Sequence, residues 1–176
     1  SQNSKIRLVD TTSTVSTFAG SGGIGYIDGT SLQAEFRSPR GIASDGNGNM
    51  YVADTGNHCI RKIEISLGET FKLTGTFQKG NVTTYAGTCG GTPDKRGTKN
   101  GPFLQAKFDH PIGITFYREP STNKHILFVC DSGNHRIRKL VDGQVYTLAG
   151  QKGMGPQPGY RDGSAVVARF NYPTGI

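Results

Sequence analysis

Three short blocks of sequence recur in a fixed order along this chain, so any fold it adopts must be built from repeated units. The hexads Val15-Ser-Thr-Phe-Ala-Gly20, Val82-Thr-Thr-Tyr-Ala-Gly87 and Val145-Tyr-Thr-Leu-Ala-Gly150 lie 67 and 63 residues apart. A second block follows each hexad. Asp28-Gly29, Ala34, Phe36, Pro39, Gly41 and Ile42 return as Asn100-Gly101, Ala106, Phe108, Pro111, Gly113 and Ile114. They return again as Asp162-Gly163, Ala168, Phe170, Pro173, Gly175 and Ile176. A third block is present twice in full, as Tyr51-Val-Ala-Asp-Thr-Gly-Asn-His-Cys-Ile-Arg-Lys62 and Phe128-Val-Cys-Asp-Ser-Gly-Asn-His-Arg-Ile-Arg-Lys139, with its tail seen once more as Lys5-Ile-Arg-Leu-Val9.

Each block reads as strand or turn. The hexads alternate apolar and hydroxyl residues and stop at Ala-Gly, where small side chains let backbones approach. In Pro39-Arg-Gly-Ile-Ala and Pro111-Ile-Gly-Ile-Thr the proline sits at a strand entrance, where its missing N–H is harmless. Asp45-Gly-Asn-Gly-Asn49 before Met50-Tyr-Val-Ala is a hairpin signature. In Asp54-Thr-Gly-Asn57 and Asp131-Ser-Gly-Asn134, Asp can accept backbone N–H bonds while Gly and Asn tolerate positive φ, which predicts a second tight turn. Four strands per unit predict a four-stranded antiparallel sheet, and a radial stack of such sheets is a β-propeller. The 26 glycines, about twice average usage, fall mostly at these turns and between units. A leucine-rich or β-helical solenoid would need a shorter period.

Composition excludes some classes and leaves others open. No apolar run approaches the ~18–20 residues of a helical membrane span, and no signal-peptide series opens the chain. Lys and Arg number 20 against 13 Asp and Glu, and the formal net charge of +7 permits acidic partners without requiring them. Cys59, Cys89 and Cys130 lack C-x-x-C spacing, so no thiolate metal site is expected. One disulfide with a free thiol would suit a secreted chain and three thiols a cytosolic one; the compartment stays open, with a lean to the extracellular side.

The motifs Pro39-x-Gly-Ile-Ala, Gly48-Asn-Met-Tyr-Val-Ala-Asp-Thr-Gly-Asn-His58 and Ile60-Arg61-Lys62, with their copies from Pro111 to Lys139, resemble the NHL-repeat family of β-propellers. The hexad, Gly-rich loop, Asp-Gly and Ala-x-Phe-x-x-Pro between them are similar to its long-loop subtype. Cys59 and Arg136 stand where the family name has Leu, and Cys130 replaces the Ala seen at Ala53. The resemblance implies a ring, commonly of six blades. At about 67 residues per repeat, 176 residues hold about 2.6 units, fewer than the 4 to 8 blades of a propeller. The expectation is therefore an all-β propeller segment with an incomplete ring, a portion of a larger chain. Its expected parts are the C-terminal half of one blade (5–20), two blades with their preceding loops (21–87 and 88–150), and the start of another (151–176).

A residue that every blade repeats shapes structure before it performs chemistry, so Asp54, Gly56, Asn57 and His58, with Asp131, Gly133, Asn134 and His135, are assigned to a structural turn. No Ser-His-Asp set, P-loop or split carboxylate pair is found, and no catalytic residue, metal site or cofactor is assigned. His110 and His125 each occur in one repeat only and are the candidate ligands. Two insertions, around Gly68 to Asn81 with Phe71, Lys72 and Phe77, and Arg118 to Lys124, are candidate interaction loops. Lys5, Arg7, Arg61, Lys62, Arg136, Arg138 and Lys139 could line up as a basic stripe. Tyr51, Phe128 and Tyr146 are assigned to core packing rather than to base stacking. The expected function is a non-catalytic protein-interaction scaffold with one or more protein partners. The alternatives are RNA binding through the basic stripe, and part of a metal-dependent lyase or lactonase-like enzyme.

Overall fold

The computed structural model describes residues 3–66, 78–150 and 158–176, and among them every named strand pairing is antiparallel. Strands β1 (Ile6–Val9) and β2 (Val15–Ala19) form a two-stranded ribbon. Strands β3 (Gly29–Thr30), β4 (Pro39–Ser44), β5 (Asn49–Asp54), β6 (Cys59–Ser66) and β7 (Gln78–Ala86) form a sheet of order β3-β7-β6-β5-β4. Strands β8 (Gly101–Pro102), β9 (Pro111–Arg118), β10 (His125–Asp131), β11 (Arg136–Val141) and β12 (Gln144–Ala149) repeat that order as β8-β12-β11-β10-β9. The fold is an incomplete β-propeller, two blades and a partial third. Each blade has five strands rather than the expected four, because the Asp-Gly block adds a two-residue strand on the outer edge, with Gly29 opposite Val82 and Gly101 opposite Val145.

The first sheet buries both faces, which is why its strands alternate without a polar side. On β5, Val52 packs with Phe18, Ala19, Phe36, Ile63 and Val82 against the partial blade. Its neighbours Tyr51 and Ala53 pack with Phe108, Leu127, Val129 and Val145 against the next blade. Period-two alternation thus serves two cores at once. After each outer strand the chain crosses to the innermost strand of its blade, and the Ala-x-Phe of the second block drives a wedge between blades: Ala34 and Phe36 at one junction, Ala106 and Phe108 at the next. Inner strands then meet at glycine. A Cβ at Gly41 would collide with the carbonyl oxygen of Ile112, and one at Gly113 would lie 2.6 Å from that of Thr174.

Turn chemistry places the rest. Asp45 Oδ1 accepts the N–H groups of Asn47 at 2.8 Å and Asn49 at 3.0 Å, closing the β4–β5 hairpin. After β5 a single 3-10 turn, Thr55–Asn57, carries the chain into β6, and Ser132–Asn134 does the same between β10 and β11. The left-handed residue is His58 (φ 56°) or His135 (φ 53°), not the Gly or Asn the sequence pattern favours for that role. Gly56 is required by closeness instead, since its Cβ would lie 2.7 Å from Arg37 Cγ. Ser4 has φ 49°, so Asn3-Ser4 continues the third block back to the Asn-His position of the partial blade.

Candidate functional site at a blade junction

The repeated polar residues are consumed in joining the blades. Asp54, fully buried, accepts the Arg37 N–H at 2.7 Å, an Asn57 Nδ2–H at 2.8 Å and an Arg61 Nη1–H at 3.2 Å. Burial pushes its pKa up to about 6, against those donors. Asp131 repeats the set with Asp109 N–H, Asn134 and Arg138, and burial raises it likewise. Asn57 also donates to the Gly25 carbonyl, as Asn134 does to that of Gly97. Arg61 reaches the carbonyls of Ile27 and Glu35 and the Asp28 carboxylate, while Arg138 reaches those of Lys99 and Lys107 and the Asn100 amide. Each guanidinium also lies over the wedge phenylalanine of its blade, Arg61 over Phe36 at 5.3 Å and Arg138 over Phe108 at 5.0 Å.

Across the junction, Thr55 Oγ1 donates to the Pro111 carbonyl and Ser132 Oγ to that of Pro173, each at 2.6 Å. The histidines accept: His58 Nδ1 takes the His110 N–H at 3.1 Å and His135 Nδ1 takes the Tyr172 N–H at 2.9 Å. Nδ1 can accept only in the neutral ring with its proton on Nε2. Burial lowers the His58 pKa, helped by His110, Arg96 and Arg37 and opposed by Asp109.

The expected basic stripe therefore needs correction. Arg61 and Arg138 are both 0% exposed and Arg136 is 5% exposed, because their charges bind blade-internal acceptors or lie within the packed junction. Lys62 and Lys139 remain half-buried at the surface, with Lys62 paired to Glu64 at 2.8 Å. Tyr146, assigned to the core, is 47% exposed opposite Lys139. Arg118 and Lys124 are exposed at the β9–β10 turn, Arg118 bonded to Asn123 and Lys124 paired to Asp142. Phe71, Lys72 and Phe77 lie outside the described residues. His125 rests against the Phe116 ring at 5.2 Å.

What the repeats do not share gathers at one place. An antiparallel meander puts the β5–β6 turn and the loop after β7 at the same end of the blades, opposite the β9–β10 turn. At that end the 88–97 loop is tied down by the Cys59–Cys89 disulfide and by the Gly90 N–H, which donates to the Asn57 carbonyl at 3.0 Å. Cys130 is a free, buried thiol. Between loop and turn opens a cleft of about 380 Å³ bordered by Arg37, Arg40, Arg96, His58 and His110. Their equivalents at the next junction are Asp109 for Arg37, Ile112 for Arg40 and Pro158 for Arg96. This basic set follows no repeat, so in the sequence only the differences between aligned copies point to it.

His58, Asp109 and His110 each bring one ligand atom to within 4.8 Å of the others. Two of the possible ligand atoms are already engaged, His58 Nδ1 with the His110 N–H and Asp109 Oδ1 with His110 Nδ1 at 2.7 Å. With Arg37 and Arg96 alongside, the local charge favours an anion over a cation.

The NHL repeat profile matches residues 36–63, the stretch from Phe36 to the middle of β6. Over 74 residues the chain is 40% identical to Protein SUPPRESSOR OF QUENCHING 1, chloroplastic, of Arabidopsis thaliana, covering 42% of this chain and 7% of that protein. Over 147 residues it is 29% identical to NHL repeat-containing protein 2 of Gallus gallus, covering 82% of this chain and 18% of that protein. The chain spans less than a fifth of the length of the curated relatives it matches. A solved structure described as an auxiliary nutrient binding protein from Bacteroides thetaiotaomicron superposes with a TM-score of 0.72 at 22% identity, covering 99% of this chain and 37% of that one. One described in the same words from Bacteroides ovatus gives 0.71 at 20%, covering 99% and 38%. Repeat profile, relatives and the recurring Asp-Asn-His-Arg frame agree: the chain carries an NHL repeat at residues 36–63 and is similar to NHL repeat-containing proteins.

Proposed function

We propose that the chain is a non-catalytic protein-interaction module whose blades hold variable loops for a polypeptide partner. The supporting observation is the division of labour among its polar residues. The repeated Asp54, Thr55, Asn57, His58 and Arg61 are spent on the frame, while Arg37, Arg40 and Arg96, which differ between repeats, border the open cleft. Binding residues concentrate on loops held by a rigid scaffold. The disulfide Cys59–Cys89 supports an oxidising compartment for this module.

The test is affinity isolation of the full-length protein under native conditions, with a version carrying scrambled loop sequences as control. A polypeptide retained in stoichiometric amount by the native protein and lost with the scrambled loops is the expected result. Retention of no polypeptide overturns the reading.

A further inference from the structure

The cleft between the two full blades carries more positive charge than its surroundings neutralise. Arg37, Arg40 and Arg96 are exposed, and none has a carboxylate within 4.0 Å among the described residues. The nearby acid, Asp109, is already shared between His110 at 2.7 Å and His58 at 3.4 Å. Unpaired guanidiniums on a convex surface would be ordinary solvated charge. Here they converge on a concavity of about 380 Å³, where partial exclusion of water strengthens their attraction for an anion.

The walls fix them in place. Arg37 lies across Gly56 and Gly91, and a side chain at either glycine would strike it. Arg96 follows the 3-10 turn Pro93–Lys95, whose base is held by Lys107 Nζ donating to the Asp94 carbonyl at 2.5 Å and Thr88 Oγ1 donating to that of Lys95 at 2.9 Å. Three residues, each unique to this junction, therefore come from two segments held by a turn, a disulfide and backbone bonds.

We propose that this cleft binds the carboxylate side chains of an acidic polypeptide segment, with Arg40 and Arg96 as the principal donors and Arg37 behind them. This rests on the interaction-module reading. The planar guanidinium fork matches a carboxylate with two parallel N–H···O bonds. Readers of single-stranded nucleic acid add aromatic platforms beside their cations. The rings bordering this cleft are the imidazoles of His58 and His110, packed edge to face at 4.5 Å and so occupied with each other.

The test uses the full-length protein and titration calorimetry at low salt with four probes: octaglutamate, octaglutamine, inorganic phosphate and a thymidine octanucleotide. Octaglutamate should bind, octaglutamine should not, and R40Q/R96Q should weaken octaglutamate binding by at least about tenfold with the thermal midpoint unchanged. Phosphate should compete only weakly. Absence of octaglutamate binding, equal binding by R40Q/R96Q, or tighter binding of free phosphate or the oligonucleotide than of octaglutamate overturns the proposal. The readings fail separately. A partner retained in the affinity isolation by wild type and R40Q/R96Q alike removes the cleft's role and leaves the module, whereas octaglutamate binding with no partner retained removes the module.

Discussion

The N–H of His110, at the entrance to β9, donates to Nδ1 of His58 at 3.1 Å, so a histidine of one blade receives the first backbone group of the next. That bond requires a neutral ring, and the folded-state pKa of His58 is lowered, chiefly by burial. The unfolded chain takes up the proton first as pH falls, so stability is full above about 6.5 and is lost as pH drops toward the lowered folded value. Urea unfolding of wild type and His58→Ser should show a penalty for the variant at pH 7.5 that shrinks at pH 5.5. Serine is chosen because Ser4 holds the same left-handed position in the partial blade. An equal penalty at both pH values would refute the neutral-acceptor assignment.

Arg138 and Asp131 are both 0% exposed and pair at 2.6 Å. Removing one partner strands the other charge, so Arg138→Met should destabilise by about 3–5 kcal/mol. Asp131→Asn combined with Arg138→Met should recover part of the loss, because no buried charge is left unpaired. Denaturant midpoints of the two single variants and the double variant decide this. A double variant no better than the additive sum would show that the pair's other bonds, to Lys99, Lys107, Asn134 and Asn100, matter more than its charge.

Gly41 is the point of contact between successive inner strands, with no room for a Cβ beneath the Ile112 carbonyl. Gly41→Ala should cost about 1–3 kcal/mol through forced separation of the blades. Arg40→Ala next to it, an exposed side chain, should stay within about 0.5 kcal/mol. Thermal unfolding of both variants provides the comparison, and a neutral Gly41→Ala would contradict the packing.

The Cys59–Cys89 bond closes a span of 30 residues. By the chain-entropy estimate it contributes about 3–4 kcal/mol. Reduction should lower the thermal midpoint, and it should also free the loop that carries Arg96 and so weaken octaglutamate binding. Thiol titration of the unreduced protein under denaturing conditions should find one reactive cysteine, Cys130. Three would contradict the pairing.

The sequence made the frame legible and concealed the charges. The hexads, the Pro39 and Pro111 strand entrances and the Asn47-Gly48 hairpin announce strands and turns through local rules, and the structure places strands there. Arginine is rarely fully buried, so composition alone points Arg61 and Arg138 to the surface. The clue to their burial was present: Asp54 and Asp131 precede them by seven residues in both copies, and the β5–β6 and β10–β11 pairings bring each pair together. The fifth strand had no local signal, since Gly29 pairs with Val82 across more than fifty residues. The cleft was hidden for the opposite reason, as Arg37, Arg40 and Arg96 follow no period.

That fifth strand has a bearing on how such chains grow. Within each blade the first strand, β3 or β8, lies beside the last, β7 or β12, so a continuous stretch of chain leaves and rejoins the rim at nearly one place. A gene segment encoding 29–86 or 101–149 thus specifies a sheet whose ends are already adjacent. Duplication or deletion of such a segment can lengthen or shorten the ring by one blade without re-threading any other, and each copy is then free to change its loops independently.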